Sequence, residues 1–184
     1  MIARTRHSPG PWLLFRDAFG VADEIARYLK SAKHEFAVVE PGGSFKQLRD
    51  GRYALRPAVR ADYDALVAAL LESGGAPRTI VHLWSLAAEA SDPPLEETLD
   101  RSFFSPLYLA QALAAQDLQG MQLALVSNHM QQVAAEPVRH PARAVLLGPA
   151  RVIHKELPGS TRKPSISTLT PAKPRRAWRN SSRR

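Results

Sequence analysis

The stretch Thr79-Ile80-Val81-His82-Leu83-Trp84 is the most informative one for the fold class, because it is an almost continuous apolar run rather than an alternation of apolar and polar residues. Three similar runs occur at residues 12–15, 36–39 and 121–127. Strands of this kind are typical of a parallel sheet that is covered by helices on both faces. The four runs therefore predict buried strands of one such sheet.

Stretches with the period of an amphipathic helix lie between these runs. They cover residues 21–32, 61–72 and 95–115, and Pro106 is expected to kink or divide the last of them. Strands that alternate with helices imply right-handed parallel crossovers. The sequence thus predicts an α/β fold with a small doubly wound parallel sheet.

Three weaker patterns complete the prediction of secondary structure. Residues 53–56 form a short candidate strand. Residues 141–147 have the pattern of a short helix, which Gly148-Pro149 is expected to break. A brief apolar segment follows at residues 151–153.

The net charge of +8 is confined to one end of the 184-residue chain. Residues 1–159 contain 17 basic and 17 acidic side chains, whereas residues 160–184 contain eight basic ones and no acid. This basic tail has almost no apolar periodicity, so we expect it to be disordered. The breaker cluster Ser8-Pro9-Gly10-Pro11 makes residues 1–11 a flexible lead-in. The predicted folded domain spans residues 12–159.

Composition also limits the chemistry. The chain has no cysteine, which excludes disulfides, thiolate nucleophiles and Cys-ligated metal clusters. No apolar stretch approaches the ~18 residues of a membrane span, and the N-terminus lacks the apolar run of a signal peptide. These features predict a cytoplasmic protein without membrane insertion.

Ligands of a doubly wound sheet bind at the carboxyl ends of the strands, so the turn after the first run is the first place to search for a site. The turn is Arg16-Asp17-Ala18-Phe19-Gly20-Val21. A dinucleotide fingerprint needs three glycines there, but only Gly20 is present, and Asp17 would repel a diphosphate. The turn therefore predicts no cofactor binding.

The usual catalytic and metal motifs are also missing. Short-chain reductases use a Tyr followed four residues later by a Lys, whereas Ala32, Pro57, Val67 and Ala112 stand four residues after the four tyrosines. Ser44 lacks the second glycine of a nucleophile elbow. The six histidines show no metal-binding spacing. We predict no catalytic residue, no cofactor-binding residue and no metal ligand.

Two polar clusters follow buried runs and remain open to a functional interpretation. His82 and Trp84 lie at the end of the run at residues 79–84, and Ser127-Asn128-His129 lies at the end of the run at residues 121–127. Both clusters are therefore expected on the side of the crevice. The alternative is that they satisfy backbone groups at the strand ends beside a packing Trp, and this structural interpretation is favoured.

Several segments, taken in order, carry a resemblance to a known family. They are Trp12-Leu13-Leu14-Phe15, Tyr53-Ala54-Leu55-Arg56-Pro57, Asp62-Tyr63-Asp64-Ala65-Leu66, Ile80-Val81-His82-Leu83-Trp84-Ser85-Leu86 and Val126-Ser127-Asn128. The most specific is Pro141-x-x-Ala144-x-x-Leu147-Gly148-Pro149-Ala150-Arg151-Val152-Ile153, followed by Glu156 and Pro158-Gly159. Over about residues 12–159 the chain resembles the ketoreductase region of type I modular polyketide synthases.

The resemblance implies more than the residue patterns do. That ketoreductase has two Rossmann-like halves, a structural subdomain with a degenerate nucleotide site and a catalytic subdomain that binds NADPH. The chain is similar to the structural half alone, so the resemblance implies a scaffold for a beta-ketoacyl reductase with no activity of its own. It also implies a catalytic ketoreductase subdomain, or other synthase domains, as partners. Candidate residues for the contact face are Trp84, Phe103, Phe104, Leu107 and Tyr108.

The chain departs from the family pattern in two places. His154-Lys155 stands where relatives commonly have Pro-Gln. After Gly159 the family continues into a strand and the glycine-rich catalytic subdomain, whereas this chain enters its basic tail. This departure leads to the hypothesis of a fragment produced by a frameshift or a premature end.

A nucleic-acid-binding protein that works through the tail is the alternative. Arg175-Arg176-Ala177-Trp178-Arg179 places an aromatic side chain among arginines, a combination used in single-strand binding. Without a folded basic groove, such a tail is expected to bind only non-specifically and with strong dependence on salt.

Overall fold

The computed structural model describes residues 10–86, 93–118, 120–128, 140–156 and 165–168. Seven strands within these residues form one sheet, in the order β3-β4-β2-β1-β5-β6-β7. The strands are β1 (Trp12–Phe15), β2 (Phe36–Pro41), β3 (Lys46–Gln47), β4 (Arg52–Leu55), β5 (Thr79–Ser85), β6 (Gln122–Ser127) and β7 (Ser165–Thr168). All neighbours pair in parallel except β3 and β4, which confirms the predicted mostly parallel, Rossmann-like sheet.

The helices of the described residues lie between the strands, and those up to Ala115 do so where the sequence predicts them. They are α1 (Val21–Ser31), α2 (Arg60–Ser73), α3 (Leu95–Leu99), a π-helical segment (Asp100–Phe104), α4 (Ser105–Ala115), a 3₁₀ segment (Pro141–Leu146) and α5 (Leu147–Glu156). No described helix is long and apolar enough to cross a membrane.

Each face of the sheet contributes to its own apolar core. On one face Leu13, Phe15 and Ile80 pack with buried residues of α2, α4 and α5. On the other face Leu14 and Val81 pack with buried residues of α1. Strand β1 lies between β2 and β5 and has no exposed side chain, which agrees with the prediction of a strand buried on both sides.

One hairpin was missed by the sequence interpretation. Strands β3 and β4 are antiparallel and are joined by a turn containing Asp50 and Gly51, with φ of 58° and 68°. Positive φ at both central residues is the geometry of a type I′ turn, for which Asp-Gly is a preferred sequence. The dipeptide was therefore a signal for the hairpin, but the two-residue strand β3 is too short to show a pattern.

The long helical pattern at residues 95–115 is divided as predicted, into three segments, but the helix does not end between them. The backbone passes from α3 through one π-helical segment into α4, with Pro106 at the start of α4. Proline has no N–H to donate to the preceding turn, and a π-helical segment accommodates this loss without ending the helix. The helical path thus continues across the proline.

The expected break at Gly148-Pro149 is wrong. Both residues lie in the first turn of α5, which continues to Glu156 and contains the segment predicted separately at residues 151–153. The first four N–H groups of a helix have no partner within the helix, so Pro149 costs no hydrogen bond at this position. The preceding 3₁₀ segment leads directly into α5.

Strand β7 lies in the stretch 160–184 that the sequence predicts to be disordered. Its residues pair in parallel with β6, from Ala124 opposite Ser165 to Ser127 opposite Thr168. The free backbone groups of the β6 edge supply hydrogen-bond partners that composition does not reveal. The prediction is corrected for these four residues, and the remainder of the tail and residues 1–9 of the lead-in lie outside the described residues.

Candidate functional site

The crevice expected of this fold lies where the carboxyl ends of β1 and β5 meet. The chain leaves β1 toward β2 on one side of the sheet, whereas β5 and β6 extend the sheet on the other side. Such a point of reversal is where doubly wound folds bind dinucleotides. The loop from Arg16 to Gly20 and the carboxyl ends of β2, β5 and β6 lie at this edge of the sheet.

A carboxylate of the chain itself occupies the N-terminus of α1. Asp17 is buried, and its side chain accepts hydrogen bonds from the backbone N–H groups of Phe19 at 2.9 Å, Val21 at 3.2 Å and Ala22 at 2.8 Å. Val21 and Ala22 are the first two residues of α1. These are groups that a dinucleotide pyrophosphate uses in a Rossmann fold, so the turn does not fit that ligand.

Glu40 stands near the end of β2, about where such folds place the acid that binds a ribose. Its carboxylate accepts hydrogen bonds from Arg16 at 3.1 Å and from Arg52 at 2.6 Å. Sequence reasoning missed this residue, although the distance from Gly20 to Glu40 is typical of the motif. The carboxylate at the position of the ribose-binding acid is thus paired with two guanidinium groups.

Arg16 links the two ends of this network. It donates to both carboxylate oxygens of Asp23, at 2.8 and 2.9 Å, as well as to Glu40. The guanidinium lowers the pKa of the Asp23 carboxyl below its ordinary value, chiefly by hydrogen bonding, and the same bonds raise the pKa of Arg16. The side chains at this end of the crevice therefore pair with one another.

His82 lies in the core, not at the end of a strand. It is in the middle of β5, opposite Phe15 and Leu125, and has no exposed surface. Its Nε2 is 2.7 Å from Ser105 Oγ in α4, and its ring stacks on Phe15. Burial lowers the pKa of His82 to about 3, which keeps the ring neutral. The position at the crevice expected from the sequence is wrong. The ring bonds a serine side chain and no strand-end backbone group, so only the packing beside Trp84 agrees with the structural interpretation.

The second polar cluster is only partly described, because His129 lies outside the described residues. Ser127 is buried, and its hydroxyl donates a long hydrogen bond of 3.4 Å to the backbone carbonyl of Ser85. The Asn128 side-chain oxygen accepts a 2.9 Å hydrogen bond from Arg143, a buried residue of the 3₁₀ segment that sequence reasoning missed. In the described part of the chain, this cluster links β6 to β5 and the end of β6 to the 3₁₀ segment.

No group of three or more His, Asp or Glu side chains that could hold a metal is found among the described residues. A cavity of about 420 Å³ lies at the amino ends of β1 and β2, between Trp12, Phe36 and Tyr53. This cavity is on the edge of the sheet opposite the crevice.

None of the five residues predicted for an exposed contact face is openly exposed in the structure. Trp84 does not belong to it, because only 4% of its surface is exposed and its ring packs edge-on against Phe15. The other four candidates lie on the π-helical segment and α4 and are half-buried. Their aromatic rings form a chain, with Phe103 against Phe104 at 5.3 Å and Phe104 against Tyr108 at 5.7 Å between centroids. We call Phe103, Phe104, Leu107 and Tyr108 the aromatic face.

Comparison with known proteins adds a family and two solved ketoreductases. The model of the family described as beta-ketoacyl synthase-like, N-terminal, matches residues 14–164. A keto acid-selecting NRPS module with adenylation and ketoreductase domains is 25% identical over 86% of this chain, with a TM-score of 0.74. An N-terminal ketoreductase of the macrolactin assembly line is 25% identical over 66% of this chain, with a TM-score of 0.57. This chain covers only 13% and 26% of those two proteins.

More distant structures support the fold alone. A short-chain dehydrogenase/reductase from Serratia marcescens is 15% identical over 87% of this chain, which covers 76% of that protein, with a TM-score of 0.53. No curated protein matches the sequence. The resemblance to the ketoreductase region of polyketide synthases, which the sequence motifs predict, is confirmed by the family model and the two ketoreductase structures.

Proposed function

Because the chain belongs to the beta-ketoacyl synthase-like, N-terminal family, we propose that it is the structural half of a ketoreductase, a scaffold without a cofactor site of its own. The observation that carries this proposal is the carboxylate of Asp17, which accepts the N–H groups of Val21 and Ala22. An internal anion at that place competes with the phosphates of NADPH by charge and by position.

The composition of the crevice supports the same proposal. Glu40 is bound by Arg16 and Arg52, so its carboxylate would have to give up two ion pairs in order to accept a ribose hydroxyl. None of the four tyrosines is followed four residues later by a lysine, so the proton-donor pair of short-chain reductases is missing from the sequence. The reduction step and NADPH then belong to a separate catalytic subdomain.

The partner of this scaffold is, on this proposal, a catalytic ketoreductase subdomain that docks on the aromatic face. The face is apolar and half-buried, and it lies on the π-helical segment and α4. Helix α4 packs against both α2 and α5. Contact surfaces between domains of one protein are commonly apolar in this way. Both relatives with 25% identity are larger ketoreductase proteins, which is consistent with such docking.

A fluorescence titration with NADPH tests the first part of the proposal. We expect no saturable binding to the purified chain, and no reduction of a beta-ketoacyl thioester in its presence. Saturable binding with a dissociation constant in the low micromolar range would show that the crevice accepts the cofactor and would overturn the proposal.

Docking is tested by mixing the chain with a separately purified catalytic ketoreductase subdomain. We expect a complex on size-exclusion chromatography and a gain in reductase activity. Phe104→Asp and Tyr108→Asp should abolish both, because each places a carboxylate in the aromatic face. Tyr28→Asp is the matched control, because Tyr28 is 68% exposed on α1. Equal loss in all three variants, or no complex with the wild-type chain, would contradict this docking site.

A further inference from the structure

A small cavity of about 30 Å³ lies beyond the carboxyl end of β5. Its described lining includes Trp84 and Ser85 of β5, Thr98 of α3, Ser102 of the π-helical segment and Arg143 of the 3₁₀ segment. Its size corresponds to roughly one or two water molecules. It is separate from the Asp17 and Glu40 network, none of whose residues lines it.

Three buried polar atoms on residues that line this cavity have no hydrogen-bond partner among the described residues. They are Nε1 of Trp84, Oγ of Ser85 and Nη2 of Arg143. The three residues are only 4%, 2% and 3% exposed, so bulk water does not satisfy these atoms. The indole and guanidinium nitrogens can only donate, and the hydroxyl can donate as well. The cavity therefore offers donors that lack an acceptor.

The charge in the cavity is also unbalanced. The guanidinium of Arg143 donates Nη1 to the side-chain and backbone oxygens of Asn128, at 2.9 and 3.5 Å, and has no ion pair with a described carboxylate. The one carboxylate among the described lining residues, Glu97, pairs with Arg101 at 2.8 Å. Burial lowers the pKa of Arg143 from its ordinary value, because loss of solvent disfavours the charged form of the guanidinium.

We propose that this cavity is a binding site for one compact monovalent anion, either chloride or the carboxylate group of a small acid such as formate. The anion would accept hydrogen bonds from Trp84, Ser85 and Arg143 and would neutralise the guanidinium. A water molecule is the poorer occupant, because it supplies no charge and accepts at most two hydrogen bonds. The volume excludes nucleotides and phosphate esters, so this site is independent of the proposed scaffold function.

The test uses the full chain in sodium gluconate, whose anion is too large for the cavity. Gluconate is replaced stepwise by chloride in one arm and by formate in another, at constant ionic strength. We expect a saturable shift of the Trp84 indole N–H resonance, assigned by its disappearance in Trp84→Phe, and a parallel rise in the melting temperature. The arm that saturates at the lower concentration identifies the preferred anion.

Variants show whether the effect arises in this cavity. Ser85→Ala removes one donor with little change of volume, and we expect it to weaken anion binding by about tenfold. Arg143→Met should abolish the saturable shift. Arg49→Met, at an exposed arginine in the β3–β4 hairpin, is the matched control and should bind as the wild type does.

Two results would overturn the proposal. If neither chloride nor formate moves the Trp84 resonance in the wild-type chain, the cavity holds only water. If the shift is the same in wild type and in Ser85→Ala, it arises from a general effect of the salt. Because Ser85→Ala removes only a hydroxyl, the comparison remains valid even if Arg143→Met fails to fold.

Discussion

Single residues account for the character of the crevice, and Asp17 is the most informative of them. Its carboxylate accepts hydrogen bonds at the start of α1, so its removal leaves the N–H groups of Val21 and Ala22 without that acceptor. We expect Asp17→Ala to lower the free energy of unfolding by about 2 kcal/mol in urea denaturation. Glu24→Ala removes a carboxylate from the same helix turn, but that side chain is 75% exposed, and the loss should stay below about 1 kcal/mol. Equal losses would contradict the assigned role of Asp17.

A second prediction for a single residue concerns the buried ring of His82. Its pKa is about 3 in the folded chain and ~6.5 when unfolded, so the unfolded state binds more protons between these values. The free energy of unfolding should therefore fall, as pH is lowered from 6.5 toward 3, by about 1.4 kcal/mol per pH unit from this residue alone. His82→Gln, which can still bond Ser105, should remove this contribution. Protonation of the ring above pH 5 in an NMR titration would contradict the prediction.

At the scale of an element, the start of α1 depends on one backbone conformation. Gly20 precedes the helix with φ of 87°, and a Cβ added there would meet no other heavy atom within 4 Å, so strain and not collision opposes a side chain. We expect Gly20→Ala to cost about 1 kcal/mol of unfolding free energy, measured by urea denaturation. Gly43→Ala is the control, because Gly43 has open space and no positive φ, and it should be neutral or slightly stabilising.

The turn between β4 and α2 depends on an ion pair. Asp62 is buried and accepts hydrogen bonds from the backbone N–H and the guanidinium of Arg56, at 2.9, 2.9 and 2.6 Å. These bonds lower the pKa of the Asp62 carboxyl, so its contribution is present above about pH 4 and is lost as pH falls through the lowered value. Asp62→Asn should lower the free energy of unfolding by about 2 kcal/mol at pH 7, as measured by urea denaturation. The variant should then lose no more stability from this position when the pH is lowered. The exposed Asp64→Asn on the same helix should leave the pH dependence unchanged.

At the scale of the whole molecule, the sheet should open from its edges. Strand β1 has partners on both sides and no exposed side chain, whereas β3 has two residues and a single neighbour. We expect amide hydrogen exchange to be slowest in β1 and β5 and fastest in β3 and β7 among the described strands. Faster exchange in β1 than in β7 would contradict the observed strand order.

Local sequence was enough to predict the strands β1, β2, β5 and β6, the helices α1 and α2, and the lack of a glycine-rich loop and a Tyr-Lys pair. These features rest on composition and on periodicity, which a chain expresses before it folds. The ordered motifs were also sufficient to indicate the family, because spacing between motifs survives when most other positions change.

The remaining features emerged only in three dimensions, because they depend on contacts between residues distant in the chain. His82 was expected at the crevice but faces Ser105, since the direction of a side chain depends on the register of β5 with its neighbours. Strand β7 forms because β6 offers a free edge, and Trp84, Ser85 and Arg143 line one cavity although they are distant in the chain. Hydrogen bonding and burial across such distances have no signature in local sequence.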